Sequence, residues 1–106
     1  MTKENFNDYI QDKIKYILCL MGSKGEEYAR GDRFSNFRKA ANFSNSTDVE
    51  MLWNFTIKHL VSVDDFVKDY SKGKVQPIDK WDEKINDIIV YMFLLGGMLR
   101  DNSLVD

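Results

Sequence analysis

The chain has 106 residues, within the usual range for one domain and too few for two, so a single all-helical domain over residues 1–106 is the starting expectation. Hydrophobic residues make up 43% and charged residues 30%, the balance of a folded globular protein and not of a disordered one. The 15 basic and 17 acidic side chains leave a net charge of −2, without the basic excess that a duplex-binding surface needs. Duplex nucleic acid is therefore not an expected partner, although a single nucleotide stays open.

Cys19 is the only cysteine, so no internal disulfide can form, and a reducing compartment fits best. It lies in the apolar run Ile17-Leu18-Cys19-Leu20-Met21, where a free cysteine packs as a small hydrophobe. Lys3, Glu4 and Asp8 make the N-terminus a poor signal peptide. The longest apolar stretch, Ile88 to Leu99, is interrupted by Gly96-Gly97 and is too short to span a bilayer. A cytoplasmic location without membrane contact is expected.

In chain order, the first predicted helix carries Phe6, Ile10, Ile14, Ile17 and Met21 at steps of three and four, one stripe to set against a core. Gly22, Ser23 and Gly25 are expected to loosen or end it. The segment Lys24 to Gly31 is either a continuation bent at glycine or a separate turn. A short second helix is predicted over Asp32 to Ala41, capped by Asp32 or Ser35, with Phe34, Phe37 and Ala41 on its apolar side.

Thr47-Asp48-Val49-Glu50 is a capping box, in which hydroxyl and carboxylate each satisfy an orphan amide. It opens a third helix with Val49, Leu52, Trp53, Leu60, Val63 and Val67 as its stripe, ending before Lys72-Gly73-Lys74. Pro77 precedes the last helix, which Asp79 is expected to cap and which carries Trp81, Ile85, Ile88, Met92, Leu95 and Leu99 towards the core. No strand-like alternation or repeat is present. The fold class expected is all-α, a small four- to five-helix bundle. Ile88 to Leu95 is apolar on every side, and such a helix is covered on every side. Oligomerisation, as a homodimer or higher, is expected to complete the bundle.

Glu83 and Asp87 lie four residues apart on the last helix, off its core stripe, in a row that continues through Tyr91 and Leu94. Two carboxylates one turn apart repel unless something positive sits between them, and a hard divalent cation is one answer. A solvated acidic face salt-bridged to Lys80 or Lys84 is the other. Glu26 and Glu27 form a second acidic pair that would complete a cage if the first and last helices pack side by side. Lys58 and His59 on the third helix are candidates for phosphate contact, with a packed, hydrogen-bonded histidine as the plainer reading. Arg33 and Arg38 read equally as phosphate ligands or surface charge. No phosphate loop, nucleophile elbow or dinucleotide fingerprint occurs, and one histidine with one cysteine excludes the common zinc sites. Carboxylate–metal chemistry is the only kind of catalysis that the composition supports.

Four segments in order, Lys24-Gly25-Glu26-Glu27-Tyr28-Ala29, Asp32-Arg33-Phe34-Ser35-Asn36-Phe37, Lys58-His59 with Ser62, and Glu83-Lys84-Ile85-Asn86-Asp87 with Tyr91, carry a resemblance over roughly residues 20 to 100. They resemble the phage-associated family labelled nucleotide modification associated domain 1, which in turn resembles the MazG-like all-α nucleotide pyrophosphohydrolases. The resemblance implies a cytoplasmic protein of a bacterial host, phage-encoded, that uses Mg2+ to hydrolyse a nucleoside triphosphate to a monophosphate and pyrophosphate. It implies Glu27, Glu83 and Asp87 as metal ligands, and Glu26 or Glu27 as the base. Lys58 and His59 would hold phosphate oxygens, and Asn36, Phe37 and Tyr91 would line the base or sugar pocket. MazG-like enzymes carry Glu-x-x-Glu on one helix and Glu-x-x-Asp on the other. Here Glu26 and Glu27 are adjacent, and three residues separate Glu83 from Asp87, so the cage is thinner or shared across a dimer. A non-catalytic phage protein that sequesters a nucleotide, or one that binds a host protein, is the alternative.

Overall fold

A computed structural model describes residues 1–28 and 33–102, residues 23–28 by backbone alone. The fold is all-α: the described residues form four helices, α1 (Lys3–Tyr28), α2 (Ser35–Ser44), α3 (Asp48–Ser71) and α4 (Ile78–Asp101), and no strand. None of these helices is long and apolar enough to cross a membrane. The chain divides into two compact units, Met1–Arg33 and Phe34–Asp106.

The first unit is α1. Its helix runs through Gly22, Ser23 and Gly25 to Tyr28, so of the two alternatives the sequence left open, the chain continues the helix and does not end it at the glycines. Helix propensity costs of about 1 kcal/mol per glycine are too small to stop a helix of 26 residues. Of the expected stripe, Ile17 is buried, whereas Phe6, Ile10 and Ile14 are exposed.

The second unit is built on α3 and α4, which run antiparallel. Phe66 meets Trp81 near their connection, His59 meets Tyr91 midway, and Asp48 meets Asn102 at the far end. The capping box forms as the sequence requires. Thr47 Oγ1 accepts from the Glu50 amide at 3.1 Å, and the Thr47 amide donates to Glu50 Oε1 at 3.1 Å. The helix ends in a Schellman arrangement. Lys74 donates to the Asp69 carbonyl and Gly73 to that of Tyr70, and Gly73 takes φ 84°, a left-handed conformation that glycine adopts without a Cβ clash.

Two cap assignments are corrected. α4 begins after Pro77 with no side-chain cap, since proline's fixed φ already starts the chain correctly, and Asp79 sits in the first turn where its charge favours the helix dipole. α2 begins after Phe34, also without a side-chain cap, so Ser35 is the first helical residue and not its cap; Asp32 lies outside the described residues. The helix runs on past Ala41 to Ser44. There Asn45 turns left-handed at φ 53°, and the Ser46 amide reaches back to the Ala41 carbonyl.

The stripe of α3 is rotated from the predicted one. Leu52 and Thr56 are fully buried, and Thr56 satisfies its hydroxyl by donating to the Leu52 carbonyl at 2.9 Å. Trp53, Leu60 and Val67, expected in the core, are exposed. On α4, Met98 is fully buried, and Met92 and Phe93 stand 41% and 61% exposed within the segment expected to be covered all round.

α2 closes one end of the α3/α4 pair. Arg38 donates from Nη2 to Asp101 Oδ2 at 2.7 Å and from Nε to Asp48 Oδ2 at 3.4 Å. Asn102 Nδ2 in turn donates to both oxygens of Asp48. One clamp thus ties α2 to the start of α3 and the end of α4. On the same side the Phe34 ring lies against Gly97, so closely that a Cβ at Gly97 would stand 3.2 Å from Phe34 Cζ.

Candidate functional site

The rotation of α3 turns Phe55, His59, Ser62 and Phe66 towards one side of the α3/α4 pair, where they are half-buried. Residues at i, i+3, i+4 and i+7 share a helix face, so this row follows from the helical period once Leu52 and Thr56 are fixed in the core. α4 answers with Lys84, Asp87 and Tyr91, again at steps of three and four. The clamp around Arg38 sets α2 so that Phe37 reaches the same seam.

Contacts along the seam are specific. His59 Nδ1 lies 3.5 Å from Asp87 Oδ2, with both side chains 28% exposed. The His59 ring sits over Tyr91 at 4.7 Å between centroids and 38° between planes. Phe37 meets Tyr91 edge-on at 6.3 Å and Phe55 edge-on at 5.7 Å. Such aromatic pairs contribute about 0.5–1.5 kcal/mol each beyond their burial. Burial pushes the Tyr91 phenol above its ordinary range, and the Asp87 charge adds to the shift, so Tyr91 is a neutral hydrogen-bonding group at physiological pH.

Lys58 Nζ lies 5.2 Å from the centre of the Phe55 ring and Lys84 Nζ 5.9 Å from that of Phe66. Both stand within cation–π range of the row's aromatic members.

Of the residues singled out in the sequence, Phe37, His59, Asp87 and Tyr91 are thus brought together, with Lys58 beside them on Phe55. Asn36 is exposed on α2. Glu83 is not drawn into the seam: it is 62% exposed and pairs with Lys80 at 3.8 Å, the surface alternative that its spacing left open. Arg38 is held in the clamp, and Arg33 is exposed. The side chains of Glu26 and Glu27 lie outside the described residues. Among the described residues no group of three or more His, Cys, Asp and Glu side chains is placed to hold a metal. Phe55 was not assigned a role from the sequence, and Lys84 was read only as a salt-bridge partner of the acidic face, a place that Lys80 takes. The signal for Phe55 was its position one turn before His59, and for Lys84 its position three residues before Asp87.

Chemically, the seam offers a cluster of edge-on aromatic rings at the α2 end, an imidazole–carboxylate pair at its middle, and two lysines. Aromatic faces with positive charge near them suit a ligand that is part ring and part anion. No protein-family model matches the chain, and neither a curated protein nor a solved structure matches it.

Proposed function

We propose that the chain binds a nucleotide in the seam between α3 and α4 and, with magnesium, acts on it as a MazG-like nucleoside triphosphate pyrophosphohydrolase. The observation that carries this reading is the assembly of Phe37, His59, Asp87 and Tyr91, from three helices, into one contact cluster. The resemblance in the sequence assigns three of these four to nucleotide contact and the fourth to metal. Residues this far apart in the chain have no local reason to meet.

Glu83 and Asp87 on α4 are the described residues that would hold magnesium, with Glu27 as the further ligand that the resemblance adds. Magnesium is bound through one or two carboxylates, with waters and substrate phosphates filling the remaining positions, so a pair of carboxylates one turn apart suits it. The bound ion would neutralise phosphate charge and activate a water. The protein's own contribution is to pack the base against the edge-on pair Phe37 and Tyr91, to hold phosphate oxygens with Lys58 and His59, and to keep Tyr91 protonated beside them.

A second reading, non-catalytic sequestration of a nucleotide, is favoured by one observation. Glu83 and Asp87 each already have a side-chain partner, Lys80 and the His59 imidazole respectively. Pyrophosphate release from a panel of nucleoside triphosphates, with magnesium or with chelator, separates the two. Turnover that needs magnesium and vanishes in Asp87→Ala, while nucleotide affinity survives, supports the hydrolase. Binding without turnover supports sequestration, and no binding refutes both. Exposed Met92 and Phe93 within an apolar segment support a homo-oligomer, which light scattering on the purified chain tests.

A further inference from the structure

Among the described cations outside the seam, three are held in ion pairs with carboxylates. Lys68 pairs with Asp64, Lys80 with Glu83, and Arg38 with Asp48 and Asp101. Lys58 and Lys84 are instead placed by the seam itself, each lying over one of its aromatic rings. An ammonium resting on a ring keeps a defined position and still has N–H donors to offer an anion.

Lys84 also has a defined place along the row. It is half-buried, and Phe66 beneath it is the seam residue nearest the α3–α4 connection. The aromatic group of Phe37, Phe55 and Tyr91 lies at the opposite end, with His59 and Asp87 between. Phe55 to Phe66 covers about 16 Å of helix at 1.5 Å per residue. That is the scale of a nucleoside with an extended phosphate chain, and far longer than a nucleoside alone. Asp87 lies beside this path with its carboxylate oxygen 3.5 Å from the His59 imidazole nitrogen.

Resting on the nucleotide reading above, we infer that the ligand is a nucleoside polyphosphate held in one direction. Its base lies at the α2 end, and its terminal phosphate meets Lys84 near the α3–α4 connection. Lys84 is then the residue that distinguishes triphosphate from monophosphate, a role that neither His59 at the middle of the seam nor Lys58 at the aromatic end fills.

Calorimetric titration with nucleoside mono-, di- and triphosphates of one base, and with inorganic tripolyphosphate, tests this in the full chain. Lys84→Met keeps an unbranched side chain of similar length and removes the charge, and Lys84→Arg restores it. Lys84→Met should weaken triphosphate and tripolyphosphate binding about tenfold and leave the monophosphate unchanged, with Lys84→Arg close to the parent. Lys72→Met, on the exposed connection, should change none of them. Equal weakening of all ligands by Lys84→Met, or no change while nucleotides still bind, overturns the orientation and leaves nucleotide binding standing. A parent chain that binds none of these ligands overturns both.

Discussion

Gly96 and Gly97 are neighbours on α4, yet an added methyl group should act on them with opposite sign. Replacing a helical glycine by alanine gains about 0.8–1 kcal/mol, because the unfolded chain loses freedom and the helix does not. At Gly96 the nearest atom to the new Cβ is Arg100 Nη1 at 3.7 Å, the end of a flexible side chain in ordinary contact. Gly96→Ala should therefore stabilise by nearly the full amount, a rise in Tm of several degrees for a chain this size. At Gly97 the Cβ would stand 3.2 Å from Phe34 Cζ, so the ring must shift by a few tenths of an ångström.

Phe34 cannot give freely, because it immediately precedes α2 and Arg38, one turn on, is fixed to Asp48 and Asp101. Crowding a packed site of this kind costs about 1–3 kcal/mol, which cancels or exceeds the propensity gain. Gly97→Ala should thus fall about 1–3 kcal/mol below Gly96→Ala in thermal or urea unfolding. Phe34→Leu should remove most of the difference. Equal stabilisation by both alanines would refute the close packing of Phe34 on Gly97.

Other consequences are equally direct. Thr47→Ala should cost about 1 kcal/mol by deleting the cap of α3, read by urea unfolding at pH 7. Its hydrogen bonds to the Thr47 amide and hydroxyl hold the Glu50 carboxyl below its ordinary value. That stabilisation is present above the unfolded value and lost as pH falls through the folded one, so the difference between parent and variant should narrow below about pH 4. For Tyr91, whose folded value is raised, the sign reverses. Its contribution is complete below about pH 10 and lost as pH rises through the folded value, so the parent should lose Tm in alkali more steeply than Tyr91→Phe. Parallel profiles would contradict the burial of the phenol.

What the sequence revealed depended on how local the cause was. The Thr47–Glu50 cap and the stop at Gly73 are fixed by residues within one turn of each other, and both stand where the sequence puts them. The stripe of α3 was misplaced by hydrophobicity alone. Trp53, Leu60 and Val67 are more apolar than Thr56 and His59, but a threonine that bonds its own helix carbonyl costs little to bury. The meeting of three helices then decided the face. Phe37, His59 and Tyr91 were identified individually, whereas their contact rests on the Arg38 clamp and on Phe34 against Gly97, which no spacing encodes. For Glu83 the spacing allowed two partners, and the one three residues away, Lys80, is the one it meets.

The most direct measurement is an NMR titration of the aromatic and imidazole resonances with a nucleoside triphosphate. Saturable shifts concentrated at Phe37, Phe55, His59 and Tyr91 are expected. Absence of shifts, or shifts confined to the apolar groove lined by Val67, Tyr70, Ile78, Trp81 and Ile85, would contradict a nucleotide site in the seam.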